Sequence, residues 1–229
     1  MLIEVDDVTH VYGEQANRRV VLSDVSVRLA EHRIGVIGAN GSGKSTFVRL
    51  LNGLVTPTRG SVRVDGLDTR KDGREVRRKV GFCFTDPDAQ IVMPTVQEDI
   101  AFGLRRRGLS KAEIASRVSS ALSTYSLVDH ADHPAHLLSG GQKQLLALAS
   151  VLVTEPSMLV LDEPTTLLDL RNAATVSDVV KSLSQQVILV THHLDLLEGF
   201  ERVLVFDDTL IVYDGAPTDA IARYKGLMV

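Results

Sequence analysis

The sequence predicts an α/β fold: a mostly parallel sheet flanked by helices, with an N-terminal antiparallel β subdomain and an inserted α-helical subdomain. Three patterns carry this. The opening residues alternate in LIEVDDV, VLSDVSVRL and, after the turn-rich TPTRG, GSVRVDG, as antiparallel strands with one buried face do. Short apolar runs follow, IGVIG at 34–38, VGFCF at 80–84, SMLVL at 157–161, QVILVT at 186–191 and RVLVF at 202–206. Runs of this length between helical patterns mark buried strands of a parallel sheet. From about 97 to 150 that rhythm breaks: VQEDIAFGLRRRGLS, KAEIASRVSSALSTYSLV and GGQKQLLALASVLV read as helices, with loops at Gly108 and around Asp129 to Leu138. The expected organisation is one domain over 1–229, with the helical subdomain at approximately 86–150.

Composition narrows the classes. Apolar residues are 44% and charged residues 24% of 229, as in folded globular domains. The mainly apolar stretch Leu145 to Val153 is too short to cross a bilayer and reads as a buried helix. The N-terminus places Glu4, Asp6 and Asp7 where a secretory signal needs positive charge. Cys83 is the single cysteine, which excludes an internal disulfide and zinc spacing, and its apolar run predicts a buried core residue. A net charge of -4 argues against a general nucleic-acid grip. The basic cluster Arg70, Lys71, Arg74, Arg77, Arg78 and Lys79 is interleaved with Asp72 and Glu75 and reads as a solvated helical face. A cytosolic, soluble chain is expected.

Gly38-Ala-Asn-Gly-Ser-Gly-Lys44-Ser45-Thr46 fits G-x-x-x-x-G-K-[ST] and lies between the strand IGVIG and the helical run TFVRLLNGL, the context that a P-loop requires. The fold is therefore expected to be a P-loop NTPase core. Gly38, Gly41 and Gly43 let backbone N–H groups wrap a phosphate at a helix N-terminus. Asn40, Gly41, Ser42, Gly43, Lys44, Ser45 and Thr46 are the expected phosphate-binding residues, Lys44 as the mobile cation and the Ser45 hydroxyl as a magnesium ligand. SMLVLDEP then delivers Asp162 and Glu163 at the carboxyl end of a buried strand, where ligands bind in such sheets. Asp162 is expected to hold magnesium through water and Glu163 to polarise the attacking water. His192, after the strand VILVT, is the expected γ-phosphate contact, with His193 turned away.

Leu138-Ser-Gly-Gly-Gln-Lys-Gln144, between those two motifs, makes the chain resemble an ATP-binding-cassette (ABC) ATPase over essentially its whole length. The resemblance implies ATP and Mg2+ as ligands. It also implies Tyr12 as the aromatic that stacks on adenine; by its place in the strand Tyr12 also reads as a sheet-face residue. Ser139, Gly140, Gly141 and Gln142 open a second helix whose N-terminus faces phosphate. Family likeness places that terminus against the nucleotide of the opposite subunit, so that two chains, a homodimer or a pair with a related ATPase chain, sandwich two ATP molecules head to tail. Asp169, in TTLLDL, matches the loop linking the two sites, where Leu167 replaces the usual small residue.

DPDAQIVMPTVQEDIAFG, Asp86 to Gly103, is similar to the ATPases of energy-coupling-factor importers, and PDAQIVMPTV to those of biotin importers. The C-terminus soon after PTDAIARY is also similar to these short subunits. The likeness implies a peripheral subunit on the cytoplasmic face of the cell membrane. Its expected partners are a transmembrane coupling subunit, received in a groove beside this segment, and a substrate-binding membrane subunit. Arginine-bearing coupling helices make Glu98 and Asp99 expected acidic receptors; favourable charge at the N-terminus of a helix beginning near Val96 is the other reading. Cobalt, nickel or another vitamin is the alternative cargo. A soluble cassette ATPase in repair or translation, or a non-hydrolysing ATP-binding module, are the alternatives from other classes. One position departs from the wider family: Thr85 stands where a catalytic glutamine contacts magnesium and the attacking water. A threonine hydroxyl is shorter but still donates and accepts, so a water-mediated link is expected, with Gln90 no replacement. A small hydroxyl residue there is again similar to the biotin-importer ATPases.

Overall fold

The computed structural model describes residues 1–13, 17–105 and 107–228. The elements, in chain order, are β1 (Ile3–Tyr12), β2 (Arg19–Leu29), β3 (Arg33–Gly38), α1 (Lys44–Leu51), β4 (Arg59–Val64), β5 (Leu67–Asp68), α2 (Gly73–Lys79), β6 (Val80–Cys83), α3 (Val96–Phe102), α4 (Lys111–Thr124), α5 (Gly140–Leu152), β7 (Met158–Asp162), α6 (Leu170–Ser182), β8 (Gln186–Val190), β9 (Arg202–Asp207), β10 (Leu210–Gly215) and α7 (Pro217–Leu227). They form two units: Met1–Gly81, Ser157–Glu163 and Ser184–Val229 make the first, Phe82–Pro156 and Pro164–Leu183 the second.

In the first unit the alternating N-terminal stretches pair as an antiparallel sheet of order β2-β1-β4-β5. Val5 of β1 lies opposite Val27 on one side and Val62 on the other, and all three are buried, so cross-strand apolar pairs fix the register. The apolar runs build a six-stranded sheet of order β10-β9-β3-β8-β7-β6. Strand β3 runs parallel to β8 and β9, β7 runs parallel to β8, and the edge strand β10 is antiparallel to β9. Val36 of β3 and Asp162 of β7 both pair with Val190 of β8. The carboxyl ends of the three strands are therefore level, and the segments that follow them open on one edge of the sheet. Helix α1 covers the sheet through buried Phe47, Leu50 and Leu51, the Phe47 ring lying 5.0 Å from that of Phe206 on β9.

In the second unit each of α3, α4 and α5 begins with a capping box, Thr95 with Glu98, Ser110 with Glu113 and Ser139 with Gln142. Each box satisfies otherwise orphaned N–H groups. Their inward faces meet in a core that includes Val96, Ile100, Leu127, Leu146 and Ala149. The helix expected over VQEDIAFGLRRRGLS ends at Phe102. Gly103 sits where an added Cβ would lie 2.9 Å from Thr154 Cγ2, and residues 103–105 continue as turns that bury Leu104. Position 106 of that stretch lies outside the described residues. Asp99, expected at the surface, is buried. Its Oδ1 accepts from the N–H groups of Val92 and Met93, at 2.9 and 3.0 Å, and its Oδ2 from Ser150 Oγ at 2.8 Å. It holds the loop before α3 to α5 and is no receptor for a partner's arginine.

Cys83 is buried in β6, and burial pushes its thiol up to about 12. Only thiolate reacts appreciably with alkylating reagents. Iodoacetamide at neutral pH is therefore expected to label the native chain on the timescale of unfolding, and the urea-unfolded chain at once. Mass spectrometry of the labelled fraction checks this; prompt labelling of the native chain contradicts the burial.

Candidate functional site

The turn from β3 into α1 is shaped by glycines. Gly38 has φ 151, and a Cβ there would lie 2.1 Å from the Phe206 carbonyl oxygen. Gly43, the N-cap of α1, has φ 105, and its Cβ would meet the Val21 carbonyl oxygen at 2.5 Å. Only glycine fits these close approaches and dihedrals. No side chain caps the helix, so its first-turn N–H groups and dipole are available to an anion. Lys44 is buried, and its Nζ donates to the Gly38 and Ala39 carbonyls at 2.8 Å each. Burial lowers its pKa, while the charges of Glu163 and Asp162 act against that shift. The Ser42 Oγ is buried and unpartnered.

A cavity of about 360 Å³ lies on this turn, lined by Tyr12, Asn40, Gly41, Lys44, Thr46 and Glu163 among others. Tyr12 is 42% exposed. Its hydroxyl is 3.5 Å from Thr46 Oγ1, and its ring stands edge-on to His10 with centroids 4.5 Å apart. His10 is buried, and desolvation lowers its pKa, which favours a neutral ring beneath the tyrosine.

Asp162 ends β7 with no exposed surface. Its Oδ1 accepts from Ser45 Oγ at 2.9 Å, and Arg49 Nη2 lies 3.2 Å from Oδ2. Burial raises its pKa, and the contacts to Ser45 and Arg49 oppose the rise. The reading of the sequence missed Arg49; the available signal was its i, i+4 spacing from Ser45 on α1. The adjacent hydroxyl and carboxylate are hard oxygen donors, a set that fits magnesium. Glu163, next in the chain, adopts φ 54, a left-handed conformation that costs a non-glycine residue strain. Its Oε1 lies 2.9 Å from His192 Nε2. His193 is exposed.

The first unit thus gathers Tyr12, Asn40 to Thr46, Asp162, Glu163 and His192; the second carries Thr85, Ser139 to Gln142 and Asp169. Ser139 is the N-cap of α5, where its Oγ accepts from Gln142 N at 3.3 Å. Asp169 is the N-cap of α6 and accepts from Asn172 N at 2.9 Å. A Cβ on Gly141 would lie 2.2 Å from Asn172 Oδ1, so the glycine lets α5 approach α6 closely. Leu167 is 64% and Leu170 89% exposed. Gln90 has its Oε1 on Phe84 N at 3.2 Å and its Nε2 on the Ala147 carbonyl at 2.9 Å. It pins the Thr85 turn to α5, which occupies the very amide a substitute for the missing glutamine would need.

A glycine-cradled helix N-terminus with a buried lysine, beside paired carboxylates at a strand's end, defines a P-loop NTPase. The family model described as ABC transporter matches residues 22–166. A protein of Deinococcus radiodurans provisionally named an ABC transporter ATP-binding protein is 54% identical over 99% of both chains. The biotin transport ATP-binding protein BioM of Rhizobium etli is 50% identical over 93% of this chain and 95% of its own. The energy-coupling factor transporter ATP-binding protein EcfA1 of Caldanaerobacter subterraneus is 39% identical over 99% and 84%. Among solved structures, cbiO1 of Clostridium perfringens, part of the ABC transporter complex cbiONQ, superposes with TM-score 0.82 at 29% identity, covering 99% of this chain and 92% of its own. The ATP-binding cassette MJ0796, as a dimer in a post-hydrolysis state with ADP and Pi, gives TM-score 0.82 at 26% identity, covering 94% and 98%. The chain belongs to the ABC transporter family, and it is an ATP-binding ATPase.

Proposed function

We propose that this chain is the ATP-hydrolysing subunit of an energy-coupling-factor importer of biotin, acting as one ATPase domain over 1–229 with its helical subdomain at about 86–150. The observation that carries the reading is the single cluster of Lys44, Ser45, Asp162, Glu163 and His192 in the first unit; kinship to BioM at 50% identity supports the cargo.

Tyr12 stacks the adenine, and Asn40 to Thr46 with Lys44 hold the β- and γ-phosphates. Ser45 and Asp162 hold magnesium, which when bound supplies charge neutralisation along the phosphates. Glu163 takes a proton from the attacking water. His192 orients Glu163 and reaches the γ-phosphate. Ser139, Gly140, Gly141 and Gln142 complete the site of a second chain, as the dimeric ADP- and Pi-bound relative supports, and Asp169 links the two sites. Binding closes the dimer and hydrolysis reopens it, a population shift that moves the membrane subunits.

The coupling helix docks in the groove of about 670 Å³ between α3 and α4, whose lining includes apolar Ala101, Ile114, Val118 and Leu122 together with Glu98 and Arg105. Among the described residues no helix is long and apolar enough to cross a membrane. Attachment at the cytoplasmic face through that groove is proposed from the kinship to transporter ATP-binding subunits. Reconstituting the chain with its membrane subunits in vesicles is expected to give ATP-dependent uptake of radiolabelled biotin. Uptake of cobalt, nickel or another vitamin instead reassigns the cargo, and a complex with no ATP turnover sinks the reading.

We propose that the Thr85 hydroxyl, which both donates and accepts, takes the role of the usual glutamine through a bridging water. Thr85→Gln is expected to keep or raise basal ATP turnover while changing its dependence on the membrane subunits. Phosphate release with and without those subunits tests it, and complete loss of turnover refutes it.

A further inference from the structure

The start of α5 is wired to a histidine pair. His130 Nδ1 lies 2.8 Å from His133 Nδ1, and His130 Nε2 lies 2.8 Å from Gln142 Nε2. The other end of the Gln142 amide fixes the protons. Its Oε1 accepts the Ser139 N–H at 2.9 Å, so its Nε2 is a donor and His130 Nε2 must accept. The proton of His130 is then on Nδ1 and is donated to His133 Nδ1, leaving His133 protonated on Nε2. The chain runs without a mismatch from half-exposed His130 to Ser139, the N-cap of α5.

We infer that neutral His130 is a positioning residue for ATP turnover: it holds the Gln142 amide, and through it Ser139 and the opening of α5, in the arrangement that meets the partner chain's nucleotide. The inference rests on the proposed role of Ser139 to Gln142. Acid breaks the arrangement. A proton on His130 Nε2 sets two N–H donors face to face. Flipping the Gln142 amide relieves that clash only by turning its NH2 group onto the Ser139 N–H. Either way the start of α5 loses a hydrogen bond.

Most of the charged groups on the surrounding elements have partners of their own, Asp129 and Lys111 excepted. On the loop with the pair, Asp132 Oδ1 accepts from Gln97 Nε2, and Asp129 is exposed. On α3, Glu98 Oε2 accepts from Thr95, and on α5, Lys143 Nζ is 2.7 Å from Asp88 Oδ1. On α4, Glu113 accepts from Ser110, Arg117 pairs with Glu155, and Lys111 faces the groove.

Two measurements on the full-length chain test this. Imidazole 15N chemical shifts above pH 7.5 are expected to show His130 protonated on Nδ1 and bare on Nε2; the opposite tautomer overturns the inference whether or not the chain turns over ATP. Steady-state ATP hydrolysis is then followed from pH 5 to 8, the range in which histidine changes charge. His130→Leu is expected to lower kcat about fivefold, the worth of one such hydrogen bond, with the chain's affinity for an ATP analogue unchanged. His130→Gln places an amide oxygen near the Nε2 position and takes no proton, so it recovers most of that loss. It also flattens the acid limb relative to the parent, which a merely structural histidine would not do. Superposable parent and His130→Gln profiles overturn the inference. A parent inactive at every pH overturns the proposed function instead, and the 15N shifts still decide the proton chain.

Discussion

Glu163→Gln is expected to reduce ATP turnover by about a thousandfold or more, within the range that loss of a general base costs, while leaving nucleotide binding intact. The substitution keeps the size and hydrogen-bonding reach of the side chain and removes its negative charge and with it its ability to take a proton. The groups that grip the phosphates keep their hydrogen-bond partners, and of the two charges that oppose the burial-lowered pKa of Lys44, that of Asp162 remains. Lys44 is fixed by the Gly38 and Ala39 carbonyls, and Asp162 by Ser45 and Arg49. The backbone of Glu163 is held by its N–H on the Val190 carbonyl at 3.0 Å, so the glutamine inherits the same φ of 54. His192, 2.9 Å from Oε1 in the parent, finds an amide oxygen in its place. On the proposed mechanism a chain that binds but does not hydrolyse accumulates in the closed state, so size-exclusion chromatography with ATP is expected to show more dimer than the parent gives. Phosphate release measures the first effect. A variant retaining more than about a tenth of parental turnover assigns the base elsewhere and removes Glu163 from the mechanism.

The core of this site is legible because its requirements are written in consecutive residues. The dihedrals at Gly38 and Gly43 exclude other side chains, and the strand that delivers Asp162 and Glu163 is a continuous apolar run. What the sequence hides is side-chain pairing across elements. Arg49 reads as one more basic residue on an amphipathic helix until β7 brings Asp162 to it. The His130–Gln142 contact spans 12 positions, and no local pattern announces it. Helix α6 escapes notice for a related reason. It buries only Val176, Ser177 and Val180, too thin a stripe to stand out as a period, and its clearest signal is the Asp169 cap. The overlong reading of α3 has the opposite cause: charged, helix-favouring residues continue beyond Phe102, while the helix ends at its C-cap Gly103, the residue type least favourable to a helix after proline.

Asp99 is where sequence and structure diverge with the largest energetic consequence. Two backbone N–H groups and the Ser150 hydroxyl converge on one buried carboxylate, and charge-assisted bonds of this kind are among the stronger ones. Asp99→Ala strands three donors beside a small cavity. Leaving a buried group unsatisfied costs roughly 1–3 kcal/mol, so a loss of about 3–5 kcal/mol is expected for the second unit after partial rescue by water. At about 2–4 °C per kcal/mol for a chain of this size, the melting transition falls by roughly 6–20 °C. Asp99→Asn is expected to fall by less than half as much. Its amide oxygen still accepts from Val92 and Met93, and the Ser150 hydroxyl can rotate to accept from the new NH2 group. Calorimetry on the three proteins measures this ordering. A surface receptor for a partner's arginine behaves differently: both substitutions leave the isolated chain's melting unchanged and weaken only its assembly with the membrane subunits. That outcome restores Asp99 to the docking groove and contradicts its burial. The expected ordering makes it the internal strut that positions α3.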